Sequence, residues 1–298
     1  MSYHLPVLAK ESLDALDIKS DGVYVDVTFG GGGHSRLLLE RLGPNGQLIG
    51  FDQDEDARQN IPDDERFLFV PSNFRYLKRY LRLYKITKVD GILADLGVSS
   101  HQLDVPERGF SYRFDAELDM RMNQEQEYTA ADIVNQYPAD ELQALFSKYG
   151  EVRNARSLAQ RIVAEREVVK IKSVQDFLNA IDPMIRGNRL RYLSQVFQAL
   201  RIEVNDEMGA LQDFLEQSKA ILHPGGRLSI ITYHSLEDRM VKNFLKSGNV
   251  QGQLEKDFYG NINRPFKVIT KKATLPSEEE IRENPRARSA KLRVAALL

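Results

Sequence analysis

Short apolar runs that end in a polar residue or a turn recur along the first part of the chain, at Val23–Asp26, Gln47–Phe51, Arg66–Val70 and Val89–Leu96. Segments of helical period lie between them, at Ser35–Leu42, Glu55–Asn60 and Arg75–Tyr84, and a short helix over Glu11–Leu16 precedes the first run. Strand and helix in alternation predict a parallel sheet built from βαβ units. The run Val89–Leu96 is nearly all apolar, which predicts a strand buried on both faces. The pattern then changes. From about Tyr128 to Ile185 only short capped helices follow, opened by Thr129, by Pro138 (and stopped by Gly150), at Ala155 and by Ser173. A long helical stretch over Arg191–Leu222 leads through His223-Pro224-Gly225-Gly226 into a fifth strand, Arg227–Thr232. Two last strand-like runs, Phe266–Thr270 and Lys291–Leu297, predict an antiparallel hairpin at the sheet edge. The expected division is a core in two parts, residues 1–105 and 191–298, around a loop and helical insertion over 106–190.

The first strand carries the most informative local chemistry. Val23–His34 reads VYVDVTFGGGGH: a strand ending in Asp26, four glycines, then a helix start. Glycines permit positive φ and let a ligand approach bare backbone, and a helix start offers unpaired N–H groups. Asp52 ends the second strand about twenty residues later, where βαβ nucleotide folds hydrogen-bond a ribose diol. Two ligands fit a glycine turn with a ribose acid, a dinucleotide or S-adenosylmethionine. A dinucleotide wants a further glycine three residues on to cradle its pyrophosphate, and no glycine follows Gly33 until Gly43. Asp26 would repel a pyrophosphate but is suited to the ammonium of a methionine moiety, so the methyl donor is favoured. Phe74, after the third strand, is placed to pack on an adenine. The loop from Asp95 through Gln102, and Tyr233-His234 after the fifth strand, fall at the same carboxyl edge, where ligands of open α/β sheets bind.

Composition narrows the class without changing it. The chain has 298 residues, a net charge of −2 and no cysteine, which excludes disulfides, zinc–thiolate sites and thiol nucleophiles. No metal-ligand cluster stands out. No apolar run approaches membrane length, so no membrane partner is expected, and the cytoplasm is the expected compartment. The near-neutral charge argues against a uniformly basic nucleic-acid binder and points to local patches. Between Lys148 and Arg191 ten Lys/Arg face five acids, which suggests a phosphate-tracking surface.

Seven blocks resemble the bacterial 16S ribosomal RNA cytosine-N4 methyltransferase family, in that family's order: DVTFGGGGHS at Asp26, DLGVSSHQLD at Asp95, RGFSY at Arg108, LDMRM at Leu118, FQALRIEVNDE at Phe197, HPGGRLSIITYHSLEDRMVK at His223 and NPRARSAKLR at Asn284. The resemblance implies a Rossmann-like S-adenosylmethionine methyltransferase sheet of five parallel strands with the antiparallel closing hairpin and the helical insertion. It implies that Gly32, Gly33 and His34 contact the donor, that Asp52 holds its ribose, and that Phe74, Asp95 and Gln102 complete the pocket. The implied substrate is a cytidine in the decoding region of 16S ribosomal RNA within the small ribosomal subunit, and a homodimer is a possible assembly. One departure is Gln195-Val196, where the family usually has Arg-Thr.

A cytosine amine is a conjugated, poor nucleophile that needs acceptors to draw its lone pair out of the ring plane, so orientation is the main catalytic term. Asp95 or a nearby loop carbonyl is the expected acceptor, with Tyr233 or His234 stacking on or edging the base. The insertion and Arg286–Arg293 would grip RNA. The reading from another class is a non-catalytic donor- or RNA-binding assembly protein on the same fold.

Overall fold

A seven-stranded sheet in the order β3-β2-β1-β4-β5-β7-β6 carries the residues at both ends of the chain. The computed structural model describes residues 6–254, 256, 258–260 and 262–298. The chain forms two compact units, Met1–Gly97 with Gly209–Leu298, and Val98–Met208. In the first unit, α1 (Ala9–Leu16), β1 (Val23–Asp26), α2 (Gly33–Leu39), β2 (Gln47–Asp52), β3 (Phe67–Pro71), α3 (Leu77–Leu83) and β4 (Val89–Asp95) follow the expected alternation. Glu55–Asn60, expected as a helix, is a 3₁₀ turn capped by the Asp54 side chain.

The second unit consists of α4 (Ser100–Asp104), α5 (Ala130–Gln136), α6 (Ala139–Gly150), α7 (Ala155–Val168), α8 (Val174–Ile181) and α9 (Arg189–Val204), joined by irregular loops and 3₁₀ turns. It has its own core of Leu142, Phe146, Leu158, Ile162, Phe177, Val196 and Phe197. The long loop after β4 is anchored from within that unit. Buried Arg108 donates to the Arg121 and Met122 carbonyls at 2.9 and 3.2 Å, and the buried Asn205 side chain accepts from Met122 N at 2.7 Å while donating to Met120 O at 2.8 Å. The RGFSY and LDMRM blocks therefore do structural work here. The Gln195 amide donates to Glu151 O at the end of α6, and Val196 is fully buried.

The stretch expected as one helix over 191–222 is two. Asp206 adopts φ 45° between α9 and α10 (Glu207–Ile221), and this left-handed residue ends one helix before the next begins. The break places α9 in the helical unit, whose boundaries, Val98–Met208, are wider than the expected 106–190.

The first unit closes with β5 (Leu222–Thr232), α11 (Ser235–Ser247), β6 (Phe266–Val268), α12 (Glu278–Glu283) and β7 (Lys291–Leu297). Strand β5 begins five residues earlier than the expected Arg227, because His223–Gly226 forms an irregularity against β4, between Val89 and Gly91, rather than a separate turn. Strands β1 to β5 are parallel, while β7 runs antiparallel to β5 and β6 antiparallel to β7, which is the expected closing hairpin. β4 is buried over Gly91–Ala94, as its apolar run requires. Gly50 is needed in β2 because a Cβ there would lie 2.5 Å from the Phe67 ring, which packs on Phe29 at 5.1 Å. Phe29 thereby anchors the start of the glycine turn.

Candidate active site

Parallel β1, β2 and β4 end in Asp26, Asp52 and Asp95, so register alone brings three carboxylates to one sheet edge. Each then takes a different role. Asp26 is 1% exposed. Its Oδ2 accepts from Ser35 Oγ at 2.7 Å, and Oδ1 accepts from Thr28 N at 3.1 Å and Thr28 Oγ1 at 3.4 Å. Thr28 Oγ1 in turn accepts the Asp95 amide at 2.6 Å. Asp26 therefore fastens the glycine turn and the tip of β4 from beneath. The ammonium contact expected of it asks for an accessible oxygen, which this burial does not provide.

Asp52 holds the turn from the other side. Its Oδ2 accepts from Gly30 N at 2.7 Å and its Oδ1 from Asp54 N at 2.8 Å, while Asn60 Nδ2 donates to Gly30 O at 3.0 Å. Gly30 and Gly32 sit at φ 48° and 72°, in the left-handed region that favours glycine. A Cβ on Gly31 would meet nothing within 4 Å, so the turn's outer surface is open. Gly33 opens α2 against Pro6.

Asp95 is the best-placed acid for chemistry, with a side chain 22% exposed. The Tyr233 hydroxyl donates to its Oδ1 at 2.7 Å, and His34 Nδ1 lies 3.7 Å from its Oδ2. The other His34 nitrogen, Nε2, sits 3.0 Å from the Val7 carbonyl. A carbonyl only accepts, so Nε2 donates to Val7 and the ring presents its Nδ1 towards Asp95.

Burial pushes the Asp52 and Asp95 carboxyls up to about 6, and the ionised Asp26 adds to the rise in both. Burial raises Asp26 as well. Burial and the neighbouring Asp95 push the Tyr233 phenol well above its ordinary value, so it stays a donor. Three acids with elevated pKa values at one edge make a site that a cationic ligand relieves. S-adenosylmethionine, with a sulfonium, an ammonium and a ribose diol, fits that donor set.

The sign of the pH dependence follows. Donor binding favours the ionised carboxylates, so affinity is expected to fall as pH drops through about 6, the value to which Asp52 and Asp95 are raised. Without donor the two groups act oppositely. Their folded pKa exceeds the unfolded value of about 4, so each costs stability when ionised, and that cost is relieved as pH falls from about 6 towards 4. Calorimetric titration of S-adenosylmethionine between pH 8 and pH 5 checks the first; a dissociation constant flat across pH 6 would contradict it.

The remaining expected residues divide. Phe74 is half-buried in the loop after β3 and packs edge-on against Phe214 at 5.6 Å, which fixes its ring. Asn73 Nδ2 donates to Gln53 Oε1 at 2.9 Å, linking the same two loops. His234 does not present its ring for stacking. It caps α11, its Nδ1 accepts from Glu237 N at 3.4 Å, its Nε2 lies 3.1 Å from Glu237 Oε1, and its side chain is 8% exposed. Tyr233 is turned onto Asp95 rather than left to edge a base. Gln102 belongs to the helical unit, where Ser99 and Gln102 form the capping box of α4. Sequence reasoning missed Thr28, Ser35, Glu237 and the Val7 carbonyl. Thr28 and Ser35 lie two residues beyond Asp26 and one beyond His34, so their hydroxyls were a legible signal; a backbone carbonyl leaves none.

A doubly wound sheet with an antiparallel seventh strand and an acid-lined glycine turn defines a methyltransferase core that uses S-adenosylmethionine. The chain belongs to the MraW methylase family, whose model matches residues 1–298. It is 57% identical over 295 residues to the ribosomal RNA small subunit methyltransferase H of Parabacteroides distasonis, covering 98% of this chain and 97% of that one. The protein of the same name from Christiangramia forsetii is 54% identical over 299 residues, covering 100% and 99%. Among solved structures, an rRNA methylase from Streptococcus thermophilus aligns with a TM-score of 0.43 at 12% identity, over 100% of this chain and 99% of that one. TrmN from Thermus thermophilus aligns at 0.44 and 14%, over 98% and 48%. No helix among the described residues is long and apolar enough to cross a membrane.

Proposed function

We propose that the protein methylates the exocyclic N4 of a cytidine in the decoding region of 16S ribosomal RNA, within the small ribosomal subunit. The observation that carries the reading is the Asp95 carboxylate, held by Tyr233, faced by His34 and partly open at the strand edge that ends in Asp52. S-adenosylmethionine supplies an electrophilic methyl group when bound. Asp52 accepts from its ribose, the glycine turn at Gly32 and Gly33 and the nearby His34 border its methionine end, and Phe74 packs on its adenine.

Asp95 accepts a hydrogen bond from the cytosine amine and turns its lone pair towards the methyl group. The amine needs orientation more than a strong base, because its proton is lost easily once the methyl is attached. The proton leaves through Asp95, whose Oδ2 lies 3.7 Å from His34 Nδ1. Tyr233 keeps Asp95 from rotating. The target base must be unstacked, or presented by the folded subunit, to reach such an edge.

Side-chain partners sort the cations expected to grip RNA. Arg161 pairs with Glu165 and donates to Ala180 O, Arg166 donates to the Val134 and Tyr137 carbonyls, and Arg293 pairs with Asp238 at 2.7 Å. These have structural roles, whereas Arg153 and Arg156 are exposed. Arg153→Glu with Arg156→Glu is expected to cut RNA methylation about tenfold or more through lost phosphate contacts, with donor affinity unchanged. Equal loss of both activities would make the two arginines structural.

The deciding experiment incubates small subunits from cells lacking the protein with purified enzyme and methyl-labelled S-adenosylmethionine, then digests the RNA to nucleosides. Label in N4-methylcytidine is expected. Intact donor binding without label, on subunits, naked RNA and earlier precursors alike, would favour the non-catalytic assembly protein.

A further inference from the structure

The basic helix α3 has no role in the reading above. From Phe67 to Val89 the sequence holds six cations, Arg75, Lys78, Arg79, Arg82, Lys85 and Lys88, and no acid, in a chain whose net charge is −2. Two are engaged: Arg75 pairs with Asp213 at 3.0 Å, and Lys88 donates to the Ala220 and Leu222 carbonyls. Lys78, Arg79, Arg82 and Lys85 are exposed, and among the described residues no carboxylate pairs with them.

Helical spacing sets Lys78, Arg79 and Arg82 on one face of α3, and Lys85 follows just beyond its C-terminal end. Leu77 and Leu81 are buried, so Lys78, Arg79 and Arg82 point outward on the opposite side. Lys78 and Arg82 stand at i,i+4, and Arg79 and Arg82 at i,i+3, spacings at which like charges destabilise a helix. An ordinary solvated helix face interleaves acids at such positions, as Glu165 does four residues after Arg161 in the other unit. Large apolar side chains flank the cations. Tyr76, which caps the start of α3, is 46% exposed, Leu83 69% and Tyr84 40%.

Uncompensated cations beside an exposed aromatic suit a polyanion whose bases can stack, which is a single-stranded nucleic acid. The face also begins at the catalytic edge. Pro71, at the end of β3, pairs in register with Asp52, and only a short turn separates it from α3.

Resting on the proposed RNA substrate, we infer that the outer face of α3 is a second RNA-docking surface, on the methyltransferase unit itself, which binds the phosphate backbone of a single-stranded segment and stacks a base on Tyr76. It leads the strand away from the edge where the target base reacts.

The test uses the full chain and naked small-subunit ribosomal RNA, with dissociation constants measured across a salt series. In the variant Lys78→Gln, Arg79→Gln, Arg82→Gln, Lys85→Gln, the slope of log affinity against log salt is expected to fall by up to about 3, since each single-strand phosphate contact contributes about 0.7. Tyr76→Ala is expected to weaken RNA binding about fivefold or more, and Tyr76→Phe to restore it, because the ring does the stacking. Affinity for S-adenosylmethionine and the melting temperature stay at the parent values in every variant. An unchanged slope, with the parent binding RNA, overturns the docking surface and leaves the proposed function standing. A parent that binds no RNA on subunits or naked transcripts overturns both. Lost binding to phosphatidylserine vesicles with the RNA slope intact would assign the face to an anionic membrane instead.

Discussion

Asp95→Asn is expected to lower the methyl-transfer rate at saturating donor by about 10²- to 10⁴-fold, the usual range for a positioned proton acceptor. The substitution keeps the shape of the side chain, and the amide oxygen can still accept from Tyr233, which donates to Oδ1 at 2.7 Å in the parent. The other branch becomes an NH₂ group. It would point donors at an amine that itself donates, so the cytosine can no longer be held with its lone pair aimed at the methyl group. The same change replaces the carboxylate oxygen that faces His34 Nδ1 at 3.7 Å. Single-turnover assays at several donor concentrations separate rate from binding. If saturating donor restores the full rate, Asp95 serves the donor pocket alone and the acceptor lies elsewhere. Tyr233→Phe, which leaves the carboxylate but frees it to rotate, is expected to cost about tenfold, as removal of a supporting hydrogen-bond partner commonly does.

The second large effect falls on a residue too buried for a direct donor contact. Asp26→Ala strands three hydrogen-bond donors, Thr28 N, Thr28 Oγ1 and Ser35 Oγ. A buried donor left without a partner costs about 1–3 kcal/mol, so a loss of several kcal/mol in stability is expected. Donor binding should weaken with it, by about a hundredfold, since every 1.4 kcal/mol is tenfold and both the glycine turn and Asp95 lose their fixed positions. The link to Asp95 is Thr28 Oγ1, which accepts the Asp95 amide at 2.6 Å. Asp26→Asn keeps one acceptor and is expected to fall between parent and Ala. Calorimetric melting and donor titration on the same samples check the pair of effects. A lower melting temperature with unchanged donor affinity would confine Asp26 to the scaffold.

Much of the site was legible because it sits on regular structure. Apolar runs that stop at Asp26, Asp52 and Asp95 specify where parallel strands end, and parallel register then carries the three acids to one edge. Four glycines in a row could not be ordinary strand or helix, and Gly30 and Gly32 do take positive φ. Side-chain partners chosen across the fold were less legible. His34 was expected as a donor contact from resemblance, but its ring is held by the carbonyl of Val7, twenty-seven residues earlier, and a carbonyl has no signature in sequence. The basic count over Lys148–Arg191 suggested a phosphate-tracking surface, yet Arg161, Arg166 and Arg189 take carboxylate or carbonyl partners within their own unit.

The sequence by itself determined the strand and helix alternation, the closing antiparallel hairpin and the acids at the strand tips, because period, apolar length and glycine content act over a few neighbouring residues. Only the tertiary structure decided that the helix expected over 191–222 breaks at Asp206, that α9 joins the helical unit, and that Asp26 lies beneath the site while Asp95 opens onto it. Those outcomes depend on which surfaces meet and how deeply each carboxylate is buried. Burial is a property of the whole packed chain rather than of any local run.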